Sequence, residues 1–183
     1  METNTFSPTR NTLIRIILSG FFIALGLVLP FLTGQIPEIG SKLLPMHLPI
    51  LLCGFICGWQ YGLVTGLITP FFRTMLFQMP PVTVALGMTF ELAAYGLLAG
   101  LLYKFFPKKP AYIYVSLILA MIGGRIVLGI ANIIIYSLQG NTYGMMAFLN
   151  GAFINAIPGI IAQIVLVPLI VISLKKSKLI VLP

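Results

Sequence analysis

Charged side chains stand inside otherwise apolar runs of this 183-residue chain: Arg73 in GLITPFFRTMLFQ, Glu91 in GMTFELAAYG and Arg125 in MIGGRIVLG. A charge at the centre of a membrane-spanning helix costs about 2.5–3.5 kcal/mol on insertion scales, so such residues face a cavity, a partner or a ligand. His47, Asn132, Asn150 and Asn155 add hydrogen-bonding groups to the same hydrophobic segments. The chemistry open to this set is recognition: a guanidinium takes a carboxylate or phosphate in a two-pronged contact, and the amides and imidazole donate and accept. Each member also has a plainer use. Arg73 and Glu91 can neutralise one another, the asparagines can hydrogen-bond between helices, and His47 can be a polar tip near an interface. Arg125 has no second acid to pair with and is read as meeting a ligand or a carbonyl.

Catalysis finds little support. Three acids in the chain make no paired-carboxylate or metal-binding motif, and one His stands with no nucleophilic Ser or Cys in a hydrolase setting. No glycine-rich phosphate loop is present, so ATP is not consumed by this chain itself. Cys53 and Cys57 lie four apart on one helix face; two thiols and one His fall short of the four ligands of a structural zinc site. They are read as packing residues, and no cofactor or metal is expected.

Composition sets the class. Hydrophobic residues make up 59% and charged residues 8% of the chain, against about 25% charged in soluble domains, and the mean hydropathy is +1.08. The expectation is an all-α, multi-pass membrane protein, one integral domain over residues 1–183 with a polar start at 1–11. No cleavable signal peptide is evident. The net charge of +8 does not indicate nucleic-acid binding. Its carriers cluster at Arg10 and Arg15, at Lys104, Lys108 and Lys109, and at Lys175, Lys176 and Lys178, flanking hydrophobic segments as cytoplasmic loops do.

Six segments position the polar residues: about 12–32, 46–59, 63–78, 82–106, 111–138 and 145–174. The second is short for a span, with Trp59 and Tyr61 as an interfacial belt around a turn at Gly58 and Gly62. Pro70 is expected to kink the third. Residues 33–45 read as a polar loop in which Glu38 balances Lys42. The basic N-terminus, four–five loop and C-terminus place both ends in the cytoplasm. On that topology, nearly every polar side chain within the membrane falls in the outer half, with His47 at the outer end of segment two. A pocket open outward that captures a small polar molecule accounts for this bias; a continuous pore does not.

The run LLPMHLPILLCGFICGWQYGLVTGLITPFFR, followed by MPPVTVALGMTFELAAYGLLAGLLYKFFP, resembles the substrate-binding S components of energy-coupling factor (ECF) vitamin transporters. The resemblance covers nearly the whole chain. It implies a six-helix membrane subunit of the cell membrane that binds a vitamin or precursor at the outer side. Such a subunit associates with a membrane coupling (T) subunit and two cytosolic ATPase subunits, and topples to release its cargo inward. Gly20 and Ala24, small residues spaced by four on the first helix, would form the docking face, with Gly where the family more often has Ala. Pantothenate leads among ligands, its carboxylate meeting Arg73 or Arg125 and its amide and hydroxyls the asparagines. Pyridoxine or a hydroxymethylpyrimidine follows, then a cobalamin; a stand-alone secondary transporter is the alternative class.

Overall fold

Helix α3 (His47–Cys57) is buried at ten of its eleven positions, and the other long helices gather around it. A helix apolar on every side cannot face water and belongs in a core. Pro49 sits in its first turn, where the missing N–H has no helical partner in any case. The structure, a computed structural model, describes residues 8–33 and 36–177, without the side chains of Pro8, Thr33, Pro37, Glu38 and Ser41. Residues 1–7 of the polar start expected at 1–11, Lys178 and the expected Glu38–Lys42 balance therefore lie outside what is described, and residues 8–11 already belong to the first helix.

Around α3 run α1 (Pro8–Val28), which tightens into a 3₁₀ turn at Leu29–Thr33, α4 (Trp59–Phe77), α5 (Val82–Phe105), α6 (Pro110–Leu138) and α8 (Ile157–Ser177). Two short helices complete the chain: α2 (Pro37–Leu43) and α7 (Met145–Leu149), the latter running into a π turn at Asn150–Ile154. Helix α5 packs against α3, α4 and α6, and α1 against α3 and α4. The outward faces carry large apolar side chains, among them Ile17, Phe21, Ile126 and Ile161, all more than half exposed. That is the surface a bilayer covers.

Four helices among the described residues are long and apolar enough to cross a membrane: residues 9–32, α5, α6 and α8. The other two expected segments differ from them for identifiable reasons. Helix α4 has 19 residues but carries Thr65, Thr69 and Arg73. Helix α3, with eleven residues, reaches only about 16 Å and crosses half of a hydrocarbon core. The expected loop at 33–45 contains α2, whose carbonyls at Lys42 and Leu43 lie so near Gly159 that a Cβ there would come within 2.8 Å of both. Gly62 is not a turn residue. The chain reverses at Gly58 alone (φ 103°), and Gly62 lies within α4. That helix continues through Pro70 to Phe77.

The seam of closest backbone approach uses glycines that recur every four residues. A Cβ on Gly96 would stand 2.1 Å from the Gly62 carbonyl oxygen, one on Gly66 2.4 Å from that of Leu92, and one on Gly100 2.4 Å from the Trp59 nitrogen. Lipid supplies no hydrophobic drive for helices to associate, so close backbone approach through small residues does the work of van der Waals packing. Gly20 and Ala24 take no part in such a seam: both are exposed, and a Cβ on Gly20 meets nothing within 4 Å.

At the basic end, the Lys108 ammonium donates to the Tyr103 carbonyl at 2.8 Å and lies 3.9 Å from the centre of the Tyr103 ring. Lys175 donates to the Lys108 carbonyl, linking the α5–α6 loop to the end of α8. Partial burial and then the neighbouring Lys175 charge hold the Lys108 ammonium below its usual value.

Candidate functional site

The end of the bundle opposite these lysines contains a cavity of about 640 Å³. The start of α3, the end of α4, the first half of α5 and the second half of α6 form its sides. The turn at Met79–Pro81, Tyr143 and the π turn at Gly151–Ala152 contribute to its wall. A volume of this size lies within the 300–1,000 Å³ range usual for small-molecule sites.

Its charged wall is a buried triad. Glu91 stands nine residues into α5, roughly 14 Å along the helix. Its Oε1 lies 3.3 Å from Arg125 Nη1 and its Oε2 3.3 Å from His47 Nε2. All three residues are 3% exposed or less. The expectation that Arg125 has no acid to pair with is thus corrected: Glu91 is its partner, and not that of Arg73. The reason is placement, since α5 and α6 pack directly together and bring Glu91 and Arg125 face to face. His47 joins them because α3 is short and begins inside the bundle; of the two readings its position allowed, a contact in the pocket or a polar tip at an interface, its burial on the cavity wall fits the first. The Tyr95 ring packs edge-on against His47, centroids 5.3 Å apart, and lies over Gly124, where a Cβ would come within 2.0 Å of the ring.

Arg73 is buried elsewhere along the cavity wall. Its Nη1 donates to the Leu27 carbonyl at the end of α1, and its guanidinium centre lies 5.2 Å from the Phe31 ring and 5.4 Å from the Phe77 ring. A carbonyl and two aromatic faces are partners a cation accepts without neutralisation. Among the described side chains, two guanidiniums stand against one carboxylate on the cavity wall.

Asn132 also lines the cavity, held where Gly87 has no side chain: a Cβ there would stand 2.3 Å from Asn132 Oδ1. Asn150 and Asn155 are exposed and are not part of the lining. The π turn explains this, because it joins their backbones through the Asn155 N–H to the Asn150 carbonyl at 2.9 Å and interrupts the periodicity on which their depth was reckoned. The structure therefore gathers His47, Arg73, Glu91, Arg125 and Asn132 on one cavity and leaves the other two asparagines outside it.

Residues not singled out from the sequence form much of the wall: Met46, Met79 and Met88, with the Tyr136 and Tyr143 rings tilted at 35° and 5.1 Å apart. Nothing in the sequence marks methionines in apolar runs as a wall; the readable signal was the two tyrosines, Tyr136 just before and Tyr143 within the uncharged stretch QGNTYG at 139–144. Among the described residues, no three His, Cys, Asp or Glu side chains group as metal ligands. Cys53 and Cys57 are free and buried in the core, with Cys53 Sγ 3.7 Å from Ser19 Oγ.

No curated protein and no solved structure matches the chain in comparison. The sequence pattern described as ECF transporter, substrate-specific component, matches residues 14–171, a stretch that includes every cavity residue named above. With an all-helical membrane bundle, a cavity at one end and that match over most of its length, the chain belongs to the family of substrate-specific components of ECF transporters.

Proposed function

We propose that the chain is the high-affinity capture subunit of an ECF-type importer in the cell membrane, taking a water-soluble vitamin or precursor into the 640 Å³ cavity from outside. The observation that carries the reading is the buried Glu91–Arg125–His47 triad on the cavity wall, since intramembrane charge is kept for function. The cavity end is that of the 1–2, 3–4 and 5–6 loops, which the distribution of lysines assigns to the outside. Members of this family are transport subunits, and the energy comes from two ATPase subunits, coupled through a T subunit. Gly20 and Ala24, exposed and uncovered on α1, are the docking face for the T subunit.

Pantothenate is the substrate we favour. Its carboxylate is matched to Arg73, the cavity cation without an acid among the described side chains, and its amide and hydroxyls to the triad and Asn132. A second reading, pyridoxine or a hydroxymethylpyrimidine, is favoured by the Glu91–Arg125 pairing, which lowers the demand for an anionic cargo. Co-expression with a T subunit and an ATPase pair tests the class. Co-purification and uptake that stops when ATP hydrolysis is blocked are expected. ATP-independent uptake by this chain alone would instead establish a secondary transporter.

A further inference from the structure

The triad leaves polar atoms unused. Among the described residues, Arg125 Nη2, both ring nitrogens of His47, Glu91 Oε1 and the neighbouring Tyr95 hydroxyl are buried and make no hydrogen bond, although His47, Glu91 and Arg125 line the cavity. The 3.3 Å contact between Glu91 Oε1 and Arg125 Nη1 is charge attraction without hydrogen-bond alignment, so Oε1 keeps its accepting capacity. The great majority of buried polar atoms in proteins are satisfied, and each exception asks for an explanation.

The chemical character of these atoms restricts what can satisfy them. Guanidinium nitrogens only donate, and an ionised carboxylate only accepts. A ligand carboxylate would satisfy Arg125, leave Glu91 unmet and bring a second negative charge beside it. A ligand ammonium would satisfy Glu91, leave Arg125 unmet and bring a second cation beside it. An uncharged edge carrying an acceptor next to an N–H donor satisfies both at once, and His47 Nδ1 can take the role left over. Charged edges of either sign are thus disfavoured at this wall by the same pair of residues.

Resting on the capture reading above, we infer that Glu91 and Arg125 together recognise an uncharged donor–acceptor edge of the cargo, an amide or an amino-substituted ring nitrogen, and that a carboxylate carried by the same cargo does not bind here. The probes are two pairs, each differing in one donor. Pantothenate is compared with its ester analogue, in which oxygen replaces the amide N–H, and 4-amino-5-hydroxymethyl-2-methylpyrimidine with its des-amino form. Binding to the purified full chain is measured by calorimetry. Loss of the donor is expected to weaken binding at least tenfold in whichever pair binds. The ratio should fall to within threefold in Glu91→Leu/Arg125→Leu, a variant that removes both charges and so leaves neither buried alone. Thermal unfolding confirms that this variant is folded. Equal affinities within a pair in the wild type, or a tenfold ratio that survives in the double variant, would overturn the inference. Failure of all four probes to bind would overturn it together with these two substrate assignments. The capture reading itself stands or falls separately, by co-purification with the ATPase complex.

Discussion

Replacing Glu91 by Gln keeps the volume of the side chain and removes its charge, leaving Arg125 buried at 3% exposure without an acid. Breaking a buried ion pair by removing one partner costs about 3–5 kcal/mol, because the remaining charge stays desolvated. At about 2–4 °C per kcal/mol for chains of this size, the midpoint of thermal unfolding falls by roughly 6–20 °C. A second substitution distinguishes this cause from poor packing. Arg125→Met alone is also destabilising, since Glu91 then faces only His47. The combination Glu91→Gln/Arg125→Met leaves no unpaired charge and recovers stability, with a coupling of about 2 kcal/mol or more. Cys53 and Cys57 provide the readout: both are fully buried, so a thiol-reactive fluorogenic dye reports global unfolding in detergent. Losses that simply add, within about 0.5 kcal/mol, would refute the claim that Glu91 and Arg125 hold one another.

Other expectations follow from the same geometry. Gly96→Ala sets a Cβ 2.1 Å from the Gly62 carbonyl and is expected to destabilise by at least the ~1–3 kcal/mol of overpacking; an unchanged midpoint contradicts the close α4–α5 seam. Gly20→Leu meets open space, so the dye assay should give a wild-type midpoint while co-purification with the T subunit is lost; retained co-purification contradicts the docking face. Gly87→Ala is expected to displace Asn132 and weaken cargo binding about tenfold, near the worth of one hydrogen bond, and unaltered calorimetry removes Asn132 from the site. Arg73→Gln frees the Leu27 carbonyl, so hydrogen exchange should rise in the 3₁₀ turn Leu29–Thr33 and not in α3; equal protection there contradicts the tie.

Much of this was readable from residue types. Composition and the lysine positions indicate a helical membrane bundle, and the intramembrane Arg73, Glu91 and Arg125 all line the cavity. Pairing was less accessible, because it depends on which helices are neighbours: Arg73 and Glu91 are near in sequence, yet α5 turns Glu91 toward α6. Depth reckoned by counting residues does not say which side chains enter a cavity. It could not show that His47 is buried, since that follows from α3 starting inside the bundle, nor that Asn150 and Asn155 stand outside the lining, since a π turn runs between them. The glycine seam was legible in principle, as Gly62 and Gly66 and Gly96 and Gly100 repeat the spacing noticed at Gly20 and Ala24. What separates an internal seam from an uncovered face is the partner helix, and one chain segment cannot show that.

The central claim is that a small molecule is held in the cavity bounded by Glu91, Arg125 and Met88. Native mass spectrometry of the chain purified from cells with the candidate vitamins in the medium tests it directly, comparing wild type with Met88→Trp, which sets an indole beside Glu91 and Arg125 and obstructs that part of the cavity from its α5 side. One small-molecule adduct per chain in the wild type and none in a folded Met88→Trp variant is the predicted result; an adduct at equal occupancy in both would contradict it.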